Sequence, residues 1–405
     1  MSRSYHKMDS GAMNLINKKK VLSLIKQKQK ISRSEITQKT GLTPPSVSRI
    51  VDSLVQRDRL VEYTGVQTVK SGRPPVVVRF KGETNYIIGI DLGAVYIRGC
   101  LVDLKGNFIT EIQMPTEIDK GFHSIIKKIR QLVEKFRQRE GRQAKIWGVG
   151  IGMAGLVNKK TGVIEFSPDF GWNEIDMTRE LQEKISLPFF YDNSTRLMAL
   201  GELDFGSIPN LQNFAVVNVG YGIAAGLVID GKIVRGKNGY AGEFGHIPVS
   251  TQKHVTCHCG KTDCLEALAS GSRIAILGRQ EMEKGHSEAL RELSGNAPEK
   301  ITAELVGKAA RQGDPVSLNI YHEATEYLCR GIGMLANLFN PQVIFIGGGV
   351  ALSGQFFFDL IRYKLPYYIL SAESNLEILP TTFEEHATSM GAVSLVFDKI
   401  MNLEL

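Results

Sequence analysis

Residues 87–103 read IIGIDLGAVYIRGCLVD, and residues 214–230 read FAVVNVGYGIAAGLVID. Each stretch is an apolar strand, a glycine turn, a second strand, a tight turn and a third strand, so the chain carries an internal duplication. Helical stretches follow each unit. Two such units describe a two-lobed α/β protein with a cleft between the lobes, a common position for small ligands.

Other glycine patterns in the same region do not redirect that reading. Gly150-x-Gly152-x-x-Gly155 follows a strand and matches a dinucleotide fingerprint, but residues 157–162, VNKKTG, continue as a turn and not as the helix that such a site needs. No G-x-x-x-x-G-K-[ST] phosphate loop occurs. Gly347-Gly348-Gly349 ends a strand at 343–346, where backbone can approach a nucleotide or pack closely against a neighbour.

The first eighty residues have a different texture. Leu15, Ile16, Val21, Leu22 and Ile25 recur at helical spacing and predict a helix over 14–27. Ser32 and Glu35 form an S-x-x-E capping box that starts a short second helix ending near Gly41. Thr43 caps a third helix with Pro44 at its first position, and Val47, Ile50, Val51, Leu54 and Val55 supply its buried face. Helix, short helix, tight turn and longer helix make a helix-turn-helix. In that geometry Pro45, Ser46, Ser48 and Arg49, early in the last helix, face base edges and phosphates in the major groove. Apolar runs at 60–63 and 76–80 flank KSGRPP at 70–75 and read as a hairpin wing. Arg73, on an extended backbone between Gly72 and Pro74, either reaches into a narrow minor groove or stands as an ordinary exposed arginine.

Charge supports this division. Residues 1–80 hold 16 Lys/Arg against 5 Asp/Glu, whereas the remaining 325 residues hold 33 against 37. The first fifth of the chain thus carries +11 and the rest −4 of the net +7, and a polyanion is the natural partner of that basic segment. Hydrophobic residues at 43% and charged residues at 22% are those of a globular protein. No run of eighteen apolar residues and no apolar leader appears, so the expected location is the cytoplasm, with no membrane partner.

Three of the five cysteines, Cys257, Cys259 and Cys264, crowd into eight residues. That is no disulfide scaffold; in a reducing compartment it points to a metal. With His246 the spacing is H-x10-C-x-C-x4-C, and three thiolates with one imidazole satisfy structural Zn²⁺ with no open position. His254 and His258 are alternative fourth ligands.

Ala241-Gly242-Glu243-Phe244-Gly245-His246, followed by Cys257-His258-Cys259-Gly260-Lys261-Thr262-Asp263-Cys264-Leu265-Glu266, resembles the signature of the ROK family (repressors, open reading frames and sugar kinases). The likeness runs from about residue 85 to the C-terminus, and the helix-turn-helix ahead of it resembles the arm of the family's repressor members. The resemblance favours His246 as the fourth ligand. It implies a sugar pocket in which Asn193, Glu243, His246 and Glu266 hydrogen-bond hydroxyls, with Asp169 a weaker candidate, while zinc fixes the loop that presents them. It also implies the fold class: α/β, a winged helix-turn-helix followed by a duplicated, actin-like, sugar-kinase-type two-lobed domain. The expected domains are the DNA-binding arm at 1–80, lobe I at 81–198 with a C-terminal helix at 387–405 returning to it, and lobe II at 199–386 with the zinc site and a dimerisation surface.

Kinase members of the family carry an Asn-Asp pair whose Asp is the general base. Counting back from Ala199-Leu200-Gly201-Glu202 puts Asn193 at the Asn and Ser194 at the Asp, with Asp192 two positions away. The two phosphate turns are here Asp91-Leu92-Gly93-Ala94-Val95 and Gly220-Tyr221-Gly222, where Val95 and Tyr221 replace hydroxyl donors with bulk. The expectation is a repressor of carbohydrate-metabolism genes and not an enzyme: a homodimer, with tetramers left open, on a pseudo-palindromic operator and tuned by a sugar in the cleft. The alternative is an ATP-dependent sugar kinase that also binds DNA.

Overall fold

The computed structural model describes residues 10–66, 76–139, 145–158, 161–370 and 376–405. The N-terminal arm runs α1 (Ser10–Lys28), β1 (Lys30–Ser32), α2 (Arg33–Thr40), α3 (Pro44–Gln56), β2 (Val61–Val66) and β3 (Val76–Phe80). The capping box opens α2: Ser32 Oγ accepts from Glu35 N at 3.2 Å, and Glu35 Oε2 accepts from Ser32 N at 2.9 Å. Gly41, at φ 73°, closes it. Ser32→Ala is expected to lower stability by about 1 kcal/mol, read as a shift in the urea midpoint.

Three local expectations need correction. Thr43 precedes Pro44, but its hydroxyl lies 3.0 Å from Ser46 Oγ and caps no backbone N–H. Leu15 and Ile16 are exposed, because they sit on the first turns of α1, ahead of its buried stretch Val21, Leu22 and Ile25. β1 was not foreseen; it pairs antiparallel with β3, which also pairs with β2, so the wing is anchored to the chain between α1 and α2.

Lobe I contains β4 (Asn85–Leu92), β5 (Tyr96–Asp103), β6 (Phe108–Pro115), α4 (Phe122–Arg139), β7 (Lys145–Met153), β8 (Leu156–Val157), β9 (Val163–Ser167), β10 (Trp172–Asp176), α5 (Met177–Gln182) and β11 (Phe189–Asn193). After α6 (Ser194–Phe205), lobe II contains β12 (Phe214–Val219), β13 (Ile223–Ile229), β14 (Lys232–Ile233), α7 (Leu265–Ala269), α8 (Gly271–Glu283), α9 (Glu288–Ser294), α10 (Ala303–Arg311), α11 (Pro315–Phe339), β15 (Val343–Gly347), α12 (Gln355–Lys364) and β16 (Glu377–Pro380), and α13 (Ala387–Met401) ends the chain.

The duplication is visible in the strand order. Sheet β11-β7-β4-β5-β6 repeats as β14-β13-β12-β15-β16 read from the other edge. In each, the first three strands form an antiparallel meander, a fourth adds in parallel on the first and a fifth adds in parallel on the fourth. Residues 156–157 and 163–167 form the antiparallel strands β8 and β9, so Gly155 leads into a strand and not a helix. The triple glycine 347–349 packs on β12, where Val350 N donates to Val219 O at 3.0 Å.

Helix α6 packs on β12 and β13, and α13 packs on β4 and β7. The two helices cross where a Cβ on Gly391 would stand 1.7 Å from Leu197 O, an approach only glycine permits. The arm is not a separate globule: Val21, Leu22 and Ile25 of α1 share one buried cluster with Ile87, Trp147 and Phe397 of the body. Among the described residues, no helix is long and apolar enough to cross a membrane.

Candidate metal centre, sugar cleft and DNA interface

The cysteine loop is built by local backbone pairing. Thr256 bridges Thr262 and Pro248 bridges Cys264. Between them, Cys257 N donates to Lys261 O at 2.7 Å and Gly260 N to Cys257 O at 2.9 Å, a tight turn that points two thiols the same way. Buried Asp263, at φ 58°, accepts from Val255 N at 2.8 Å and Lys253 N at 3.2 Å and ties the outer strand of the loop in place.

The ligand atoms of His246, Cys257, Cys259 and Cys264 all lie within 4.8 Å of one another, an arrangement able to hold a metal ion. Cys259 Sγ is 3.7 Å from Cys264 Sγ, and Cys257 Sγ is 3.6 Å from His246 Nδ1. A tetrahedral ion bonded at about 2.3 Å to sulfur and about 2.0 Å to nitrogen sets edges of roughly 3.8 Å and roughly 3.5 Å, so the donors fit zinc. His254 and His258 are exposed and stand outside the group. With Nδ1 facing the thiols, His246 Nε2 points toward Glu243 Oε2, 3.9 Å away.

The remaining sugar candidates have mixed placements. Glu266 lies on the first turn of α7 and its Oε2 accepts from Ile223 N at 3.0 Å; a Cβ on Gly222 would stand 2.3 Å from that oxygen, so a larger residue there would displace the Glu266 carboxylate. Asp169 lies in the short turn Pro168–Phe170; burial and then the charge of Glu266 push its carboxyl above the ordinary range, with His258 opposing. Glu243 is exposed and His246 half-buried. Asn193 is engaged locally: Oδ1 accepts from Thr195 N at 3.0 Å and Arg196 N at 3.3 Å as the cap of α6, and Nδ2 donates to Gly155 O at 3.3 Å.

Ser194 opens α6 one residue on, and Asp192 is turned away from it into a buried cluster. Arg196 Nε donates to Asp192 Oδ1 at 3.0 Å, Arg235 Nη1 to Oδ2 at 2.5 Å, and Arg196 Nη1 to Gly239 O at 2.8 Å. The reading of sequence missed both arginines; only Arg196, at i+4 from Asp192, carried a local signal. On the nucleotide side, Val95 and Tyr221 are 62% and 59% exposed, bulky groups on the two turns. Burial pushes the Asp91 carboxyl up to about 6 although Arg98 Nη1 lies 3.9 Å from it.

On α3, Pro45 and Arg49 are exposed, and Ser46 and Ser48 are half-buried on the same early turns. Arg33, at the start of α2, bonds Asp52 Oδ1 at 2.5 Å and Tyr63 Oη at 2.6 Å, which fixes α3 against the wing strand. Arg73 lies outside the described residues.

A winged helix-turn-helix DNA-binding model matches residues 15–60, and the ROK family model matches residues 87–399. The chain belongs to the ROK family. Its DNA-binding arm is the feature that divides its ROK relatives. The xylose repressor of Caldicellulosiruptor bescii is 30% identical over 96% of this chain and 96% of its own. The crystal structure of a ROK family transcriptional regulator, a homologue of the E. coli MLC protein, superposes with a TM-score of 0.80 at 27% identity over 96% of this chain and 97% of that one. A Streptomyces griseus ROK glucokinase, solved with glucose and AMPPNP, gives 0.70 at 28% identity and covers 76% of this chain with 98% of its own length. The kinase is therefore used up on about three quarters of this chain, whereas the regulators match it end to end.

Proposed function

We propose that this ROK protein is a sugar-responsive transcriptional repressor of carbohydrate-metabolism genes. The observation that carries the reading is the end-to-end match to repressors of a chain whose DNA-binding arm is docked in the same buried cluster as its sugar-kinase-like body. In this reading a homodimer sets two arms on a pseudo-palindromic operator. Pro45, Ser46, Ser48 and Arg49 read the major groove and Arg73 reaches into the adjacent minor groove.

Asn193, Glu243, His246, Glu266 and Asp169 hold a sugar, for which the name of the C. bescii relative nominates xylose. Zn²⁺, held by His246, Cys257, Cys259 and Cys264, fixes the loop that carries His246 and is flanked by Glu243 and Glu266; when bound it supplies structure and no chemistry, because all four positions are protein donors. Asn193 can serve the sugar only with the one amide proton left by its bond to Gly155, or by loosening the first turn of α6. An operator partner places the protein in the cytoplasm.

Phosphoryl transfer is absent from this reading. Ser194 has no carboxylate to take a hydroxyl proton near neutral pH, and both oxygens of Asp192 are engaged by arginines. The rival kinase reading predicts coupled ADP release with sugar and ATP, and ours predicts none.

The test is fluorescence anisotropy on an operator selected from random DNA, repeated across salt and a panel of pentoses and hexoses. Log affinity should fall linearly with log salt, and one sugar should weaken binding by about 5–150-fold. Operator affinity unmoved by every sugar of the panel would overturn sugar control.

A further inference from the structure

We infer that helix α6 and its crossing with α13 form the mechanical link between the sugar cleft and the DNA arm, with Phe397 as the joint on which α1 rests. The inference deepens the repressor reading and rests on it.

The first end of the link is chemical. Asn193 caps α6 with Oδ1 while its amide holds Gly155 of lobe I. A hydroxyl competing for that side chain acts directly on the first turn of α6. The helix then runs twelve residues, roughly 18 Å, away from the cleft.

The far end is packed. Glu202, on the last turn of α6, accepts from Thr382 N and Thr382 Oγ1, both at 2.6 Å, which ties α6 to the segment leading into α13. Phe205 packs against Phe397 of α13 with ring centroids 5.4 Å apart and the rings tilted 59°. The same ring meets the arm: Lys26 Nζ of α1 is 4.2 Å from the Phe397 ring centroid. Burial there pulls the Lys26 ammonium below its usual pKa, opposed by Asp204. One aromatic side chain therefore touches both the last turn of α6 and the helix that supports the DNA-reading elements.

The crossing decides that a shift is passed on and not absorbed. At Gly391 the backbones of α6 and α13 are in direct contact, with no side-chain layer to deform. Close-packed elements of this kind move as bodies. Lys26 is basic and on the arm, yet it faces Phe397 and so lies outside the DNA-contact set.

Full-length wild type, Lys26→Met and Phe397→Leu are compared with D-xylose as the probe. Calorimetry gives xylose affinity, and anisotropy gives operator affinity with and without saturating xylose. The wild type should lose about 5–150-fold in operator affinity on xylose binding. Both variants should bind xylose and, without sugar, operator as the wild type does, but respond to xylose by no more than the cube root of the wild-type factor, about 2–5-fold across that range, which corresponds to losing two thirds of the coupling free energy. Variants that keep the wild-type response overturn the inference alone. Variants that lose xylose binding itself reveal a merely structural role and also overturn it. A wild type whose operator affinity ignores xylose removes the xylose-repressor reading and this one with it.

Discussion

Asp192→Asn is expected to cost about 3–5 kcal/mol of folding stability, because it strips the charge from the centre of a buried cluster and leaves its partners in place. The Asp192 side chain is 1% exposed and that of Arg196 5% exposed. Arg196 would keep its bond to Gly239 O but lose the carboxylate that its Nε donates to, and a buried guanidinium without an anion is costly. Arg235, 33% exposed, can turn to water, so most of the loss belongs to Arg196. Arg235→Gln should accordingly cost about 1 kcal/mol or less. Denaturant unfolding of the three proteins checks both figures. The same variant tests the chemistry: neither wild type nor Asp192→Asn should release ADP with sugar and ATP. Turnover in the wild type that disappears in the variant would make Asp192 a base after all.

The parts of this molecule that were legible in sequence are those encoded locally. The duplication was readable because strand, glycine turn and strand recur in both halves, and the two sheets share one strand order. The α2 cap was readable because Ser32 and Glu35 are three residues apart, and the cysteine cluster because three of its donors sit within one turn of chain. What stayed hidden depends on distant partners or on too little pattern. β1 has three residues, too few for alternation to register. Arg235 meets Asp192 across 43 residues, and Gly391 meets Leu197 from the far end of the chain, with nothing in either neighbourhood to announce it. Asn193 was read as a sugar donor from its motif; its cap on α6 needed the turn geometry. Leu15 and Ile16 carried the right period for a helix but not for a core, since periodicity says which face is apolar and not where the neighbouring element stops.

Cys264→Ser should remove the metal and, with it, the sugar response, leaving the arm able to bind DNA. Cys264 is fully buried, it bridges Pro248, and its thiol lies against Cys259. It therefore joins the two ends of the loop that also carries His246. In small zinc-folded peptides the ion contributes on the order of 10 kcal/mol, so a loop of this kind, held otherwise by a few turns and Asp263, should lose its conformation when the ion leaves. Glu243 and Glu266 flank the loop on either side, and their placement goes with it. The expected results are one zinc per chain in the wild type by metal analysis, almost none in Cys264→Ser, and at least tenfold weaker xylose binding in calorimetry, a loss typical of disturbing the groups that orient a metal site. Operator affinity without sugar should stay near wild type, because the buried cluster joining α1 to lobe I contains no residue of the loop. His246→Ala should also lose the ion, whereas His258→Ala should retain it, since His258 stands outside the donor group. A chelator-stripped protein that still melts and binds xylose like the untreated one would show that the four donors are a reduced cysteine cluster with no ion to hold, and the loop would then owe its shape to backbone pairing and Asp263 alone.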